Sequence, residues 1–101
     1  MVDGREPFKE KFIKNLRKED TFVAISGMVV DKDDNSFMID DGTGQLGVFM
    51  ENFDNSLEYV RVFGRLIQDG GEFKLQGDVV QDMKKIDKFL YNKVKELLND
   101  K

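Results

Sequence analysis

Apolar and polar positions alternate along Ser36–Met50, SFMIDDGTGQLGVFM. Phe37 and Ile39 fall on one side of the chain, Met38 and Asp40 on the other, and Leu46 and Val48 resume the alternation after Asp41-Gly42-Thr43-Gly44. A period of two is that of a strand with one buried face, and the intervening Asp-Gly-Thr-Gly is turn chemistry, so the stretch predicts a β-hairpin. A hairpin alone does not persist in water; three or more strands must bury its apolar face together. The same period recurs over Phe22–Lys32 (FVAISGMVVDK), Tyr59–Ile67 (YVRVFGRLI) and Glu72–Val80, the last with Phe73 and Leu75 inward. Gly27 and Gly64 interrupt two of these runs at matching places, where a bulge or sharp bend is expected. Asp69-Gly70-Gly71 reads as a tight turn. Five strands joined by short turns, over residues 22–80, predict a small closed barrel, and a five-stranded barrel of this economy is the OB-fold.

Both flanks change to helical period. Phe8, Phe12, Ile13 and Leu16 recur among lysines and a glutamate, which predicts a short amphipathic helix over 7–18 with Pro7 in its first turn. Met83, Ile86, Leu90, Val94 and Leu97 recur at three- and four-residue spacing, which predicts a long C-terminal amphipathic helix over 83–99. At 1.5 Å per residue its stripe runs roughly 24 Å, longer than the open end of so small a barrel. Two uses remain open for it: plugging the barrel, or joining helices of other subunits in a bundle. The expected architecture is therefore all-β with flanking helices, in one domain.

Composition narrows the chemistry. The 101 residues contain no cysteine and no histidine, which removes disulfides, thiolate metal sites, the usual neutral-pH general base and the commonest metal ligand. Asp40 and Asp41 are adjacent, hence on opposite faces of a continuing strand, and DDGTG lacks the ligand series of a calcium loop. The expectation is a non-enzymatic protein with no metal, cofactor or small-molecule substrate. No apolar run approaches the roughly 20 residues that span a bilayer. Arg5, Glu6, Lys9, Glu10 and Lys11 stand where a signal peptide would be apolar. An intracellular protein without membrane contact is expected, in the cytoplasm or nucleoid, or the nucleus if eukaryotic.

IDDGTG with its following strand, then YVRVFGRL, then VVQDM running into an amphipathic helix resemble, in that order, the OB-fold of the middle subunit of replication protein A. The resemblance covers Thr21 to the C-terminus and looks most like a compact, archaeal-type relative without a winged-helix domain. It implies a subunit whose barrel faces single-stranded DNA in replication, repair or recombination, while Met83, Ile86, Leu90, Val94 and Leu97 join it to other OB-fold subunits through a helix bundle. One departure concerns the family's stacking tryptophan, whose place falls near Glu51; this chain has no tryptophan.

Single-strand binding needs a positive groove for phosphates and aromatic faces for bases. By alternation Met38, Phe49, Arg61, Phe63, Arg65 and Lys74 point out of the barrel, with Lys32 beside them; Phe49 and Phe63 are candidate stacking faces and Lys32, Arg61, Arg65 and Lys74 candidate phosphate contacts. For each aromatic the alternative is cover by a terminal segment, and for each arginine a surface ion pair. Residues 22–80 carry four basic and eleven acidic side chains, net −7. Such a barrel repels a polyanion at long range, so weak autonomous binding within a larger complex is expected. An OB-fold protein–protein scaffold that never touches nucleic acid, and an RNA-binding OB module, are the alternative functions.

Overall fold

The computed structural model describes residues 8–84 and 88–99. Its elements are β1 (Lys9–Glu10), a 3₁₀ turn (Ile13–Asn15), β2 (Phe22–Lys32), β3 (Ser36–Asp40), β4 (Gln45–Phe49), β5 (Tyr59–Asp69), β6 (Glu72–Asp82) and α1 (Lys88–Asn99). Strands run in the order β2-β3-β4-β6-β5, and β5 returns to β2, so the five close into a barrel. Within the barrel the pairs are antiparallel except β4–β6. This is the OB-fold arrangement expected from the strand pattern.

Closure depends on β2 serving two partners. Phe22–Met28 pair with β5, and Met28–Lys32 pair with β3. At Gly27, where β3 departs, a Cβ would lie 2.5 Å from the carbonyl oxygen of Asp40, so only a glycine lets the two backbones cross. Gly64 does the same between β5 and β6: a Cβ there would intrude on the Gln76 carbonyl and stand 3.0 Å from the Gly77 Cα. The pairing irregularity on β5–β6 does fall at Phe63/Gly64, opposite Asp78. That on β2 lies between Val30 and Lys32, where Asp31 takes φ 52°, rather than at Gly27. Inward residues of all five strands form the core: Val23, Ile25, Phe37, Ile39, Leu46, Val48, Val60, Val62 and Leu75. Phe53, from the β4–β5 loop, lies against Phe37 with ring centroids 4.7 Å apart.

The N-terminal segment is not the helix that its spacing predicts over 7–18. β3 stops at Asp40, and β1 takes up the stretch of β2 that it no longer covers, pairing Lys9 with Val23 and Glu10 with Ala24. Lys11 N–H then donates to the Ala24 carbonyl at 3.1 Å. Backbone partners on a ready strand edge outweigh the weak stability of an isolated short helix. The apolar residues still face the domain, but as a strap: Phe8 meets Phe22 and Phe63, Phe12 is buried, and Ile13 and Leu16 pack on the core's margin.

The C-terminal helix also differs from the expectation of 83–99. Met83 is not its first anchor: it is 2% exposed, follows β6 directly, and donates its N–H to the Tyr59 carbonyl at 2.8 Å. Met83 is therefore a core residue of its own barrel, which corrects its assignment to an assembly face. Ile86 lies outside the described residues. α1 spans 12 residues, about 18 Å. It presents Lys95 to the barrel, 2% exposed, with Nζ 4.7 Å from the Phe12 ring centroid, while Leu90, Val94, Leu97 and Leu98 are all at least half exposed.

Candidate functional site

The outer face of β3, β4 and β6 is a regular grid because the registers align. Ser36 pairs with Phe49 and Phe49 with Gln76; Met38 pairs with Gly47 and Gly47 with Lys74; Asp40 pairs with Gln45, beside which the same register brings Glu72. Alternation turns all nine residues outward, the opposite side from Phe37, Ile39, Leu46, Val48 and Leu75.

Gly47 is the floor of this tray. A Cβ placed on it meets nothing within 4 Å, so packing does not require the glycine; its effect is to leave a flat backbone surface between Met38 and Lys74. A cavity of about 400 Å³ opens beside it toward the β3–β4 and β5–β6 turns, lined by Met38, Gln45, Gly47, Glu72 and Lys74 and also by the inward Leu46 and Phe73, with Ile13 and Leu16 of the N-terminal strap. Phe49 is 45% exposed at one corner, and the Lys74 ammonium lies 5.4 Å from its ring centroid. Aromatic face, cation and bare floor thus occupy one patch, the combination that can stack a planar ring and hold an adjacent anion.

The opposite end of the tray is fixed by the hairpin turn. Asp40 Oδ1 accepts the Gly42 N–H at 2.8 Å and Oδ2 accepts Gln45 Nε2 at 3.1 Å. Those two bonds, the backbone one foremost, hold the Asp40 carboxyl below the usual carboxylate range. Asp41 faces the strap instead: its Oδ2 accepts the Ile13 N–H at 2.7 Å, and its Oδ1 accepts both the Thr43 N–H and hydroxyl. The two aspartates are spent on turn and strap, the ordinary role of Asp-Gly sequences. Glu72 is set by the β5–β6 turn, where Gly70 and Gly71 take φ 61° and 88° as a type I′ hairpin demands.

The structure divides the residues that alternation had grouped. Met38, Phe49 and Lys74 share the tray. Arg61, Phe63 and Arg65 sit on β5, two strands round the closed wall from β4; Arg65 adjoins the tray by pairing with Gln76, whereas Arg61 and Phe63 pair with Gln81 and Val79, beyond it. Phe63 is covered by Phe8, ring centroids 5.5 Å apart in an edge-on contact, and Arg61 Nε pairs with Glu10 Oε2 at 3.0 Å. Those contacts come from the strap on the outer side of β2, which a strand pattern cannot reveal. Arg65 is exposed, in register with Phe22 and Gln76. Lys32, at the end of β2, donates to the carbonyl of Asn55 in the β4–β5 loop. Gly47, Gln45 and Glu72 were absent from the sequence candidates; a glycine in mid-strand was the available signal for the first.

No protein-family profile matches the sequence, and no curated protein matches it significantly. Solved structures do share its fold. Telomere capping protein Ten1 from Saccharomyces pombe aligns with TM-score 0.72 at 16% identity, covering 89% of this chain and 95% of that one. Replication protein A from U. maydis, in a structure bound to single-stranded DNA, aligns with TM-score 0.61 at 21% identity, covering 75% and 73%. The hypothetical protein ygiW from E. coli aligns with TM-score 0.59 at 18% identity, covering 72% and 88%. At these identities the likeness is one of fold.

Proposed function

We propose that this protein is a non-enzymatic OB-fold subunit that binds single-stranded DNA across the β3–β4–β6 tray, within a complex that includes other OB-fold subunits. The observation that carries this reading is the bare Gly47 floor edged by Phe49 and Lys74, one ring and one cation over a surface the protein's own packing leaves uncovered. The structural likeness to a replication protein A bound to single-stranded DNA supports it. Met38 and Phe49 stack bases and Lys74 meets a phosphate. Lys32 and Arg65 add peripheral charge. Arg61 and Phe63 hold the strap. With net −7 over residues 22–80 and a single cation in the tray, the chain binds weakly alone and contributes a few contacts to a shared path.

Fluorescence anisotropy of a labelled single-stranded oligonucleotide, titrated with the full chain at low and moderate salt, tests this. Few phosphates are neutralised, so the salt slope is shallow, on the order of −1 to −2. Phe49→Ala weakens binding by roughly 5- to 100-fold, the range of one lost stacked base. Phe63→Ala leaves affinity within about twofold, because its ring is already engaged by Phe8. Equal losses for the two variants, or none for Phe49→Ala, would contradict the site.

The exposed Leu90, Val94, Leu97 row of α1 is the proposed assembly face, since an apolar helix face of this kind associates in water. Sedimentation of the full chain should show concentration-dependent association that Leu97→Lys abolishes without loss of the barrel's circular dichroism. A wild-type chain that stays monomeric at high concentration contradicts self-association through this row. The acidic barrel favours one second reading, a scaffold that binds only proteins; absence of any salt-sensitive binding to DNA or RNA would establish it over the first.

A further inference from the structure

The chemistry around the Gly47 floor is one-sided. At the end formed by Asp40, Gln45 and Glu72, the Gln45 amide nitrogen is held by Asp40 Oδ2 at 3.1 Å, which leaves its carbonyl oxygen as the group turned from that bond. Glu72, a carboxylate exposed beside it, lines the same cavity. Asp40 is acceptor-only and satisfied within the turn. The one cation, Lys74, stands in the middle row over Phe49, on the side away from this end. A flat ring lying on Gly47 between Met38 and Lys74 therefore meets hydrogen-bond acceptors at one edge and an aromatic face and ammonium at the other.

We propose that Gln45 and Glu72 make this tray selective for nucleobases that carry an exocyclic amino group, cytosine foremost, over uracil and thymine. The inference rests on the nucleic-acid reading above and adds its specificity. The amino edge of cytosine donates N–H to a carboxylate, a pairing seen where acidic side chains read cytosine N4. Uracil and thymine place a carbonyl oxygen at the same position, against two acceptors and with nothing to donate to it. Their imide N–H lies between two carbonyl oxygens, so reaching it brings a second repulsion. Gln45 and Glu72 are exposed, so water can meet them when no donor arrives and the discrimination is modest, set by the lost hydrogen bond and by carbonyl oxygen standing against carboxylate. Lys74 is left to the phosphate or to the base's remaining carbonyl.

Oligo-dC and oligo-dU of equal length test this at neutral pH, since they differ in the ring only by the amino-for-carbonyl exchange and the ring nitrogen it controls. The full chain is expected to bind oligo-dC about five- to tenfold tighter than oligo-dU, the lower part of the discrimination a good base contact supplies. Glu72→Gln keeps the side chain's size, replaces an acceptor oxygen with a donor, and should bring the ratio close to one, mainly by improving oligo-dU. Gly47→Val, whose Cβ enters open space, should leave the fold intact and weaken both oligonucleotides together. Equal binding of oligo-dC and oligo-dU by the wild-type chain, or a ratio that survives Glu72→Gln, overturns the selectivity while leaving the binding face standing. Binding of neither oligonucleotide overturns the nucleic-acid reading and the selectivity with it.

Discussion

Gly64→Ala is expected to destabilise the barrel by about 3 kcal/mol or more, the upper range of overpacking costs. The added Cβ would stand 2.9 Å from the Gln76 carbonyl carbon and 3.0 Å from the Gly77 Cα. These are backbone atoms of the paired strand, so no side chain can rotate to make room. β5 and β6 would have to part at their irregular point between Phe63 and Gly64, loosening the pair that closes the barrel against β2. A loss of that size is a large share of the roughly 5–15 kcal/mol that stabilises a domain. Gly47→Ala is the control, since its Cβ meets nothing within 4 Å; it should be neutral within about 0.5 kcal/mol, as surface substitutions usually are. Urea denaturation followed by circular dichroism separates the two. A Gly64→Ala midpoint matching wild type would mean the strands do not approach as described.

Lys95→Met is expected to act in the opposite sense, raising stability at neutral pH by about 3 kcal/mol, on the order of the free energy of its displaced titration. Burial foremost pushes the Lys95 ammonium down to about 8 from its ordinary 10.5, opposed by the attraction of Glu10 on β1 and Asp41 in the β3–β4 turn and reinforced by Arg61 on β5. Folded protein thus binds this proton more weakly than the unfolded chain. The stability it withholds is fully present above about 10.5 and is lost as pH falls through about 8. Wild-type stability should therefore climb from pH 8 toward 10, and the Lys95→Met profile should lack that climb. Above about pH 10 the raised Tyr59 pKa, caused chiefly by burial, turns the trend downward, because the folded state keeps a proton the unfolded chain releases. Equal slopes for the two proteins between pH 8 and 10 would place Lys95 in water.

Much of the barrel was legible because a strand pattern carries its own geometry. In the hairpin, Phe37, Ile39, Leu46 and Val48 had to face one way once the period was two, and they form part of the core. Gly27 and Gly64 stood out as interruptions, and the structure gives them a shared cause in backbone crossing. What alternation reports is inside or outside. It does not report which outside, so Phe49 and Phe63 look equivalent in sequence although β4 and β5 are separated by β6. Cover is equally invisible: Phe63 is engaged because Phe8 arrives on a strand edge that exists only after β3 has ended.

The flanks failed for a related reason. Helical spacing in Phe8, Phe12, Ile13 and Leu16 described residues that all contact the domain, and an extended strap meets that condition as well as a helix does. Of the apolar row expected over 83–99, Leu90, Val94 and Leu97 lie exposed on α1 and Met83 belongs to the barrel, while the helix turns Lys95 to the barrel, a residue any amphipathic reading assigns to water. Alternation gives a glycine no side to face, so the sequence does not mark Gly47 as outward, whereas a glycine at the centre of an outer face is a place for something to approach.

Residue-by-residue mapping of the DNA contact is the most direct test of the account. Amide correlation spectra of the isotopically labelled full chain, recorded during titration with oligo-dC, should shift most at Met38, Gly47, Phe49, Glu72 and Lys74, along three neighbouring strands. Arg61 and Phe63 should move little. Shifts centred on β5 and the outer side of β2, or spread without preference over the barrel, would contradict a binding face on β3, β4 and β6.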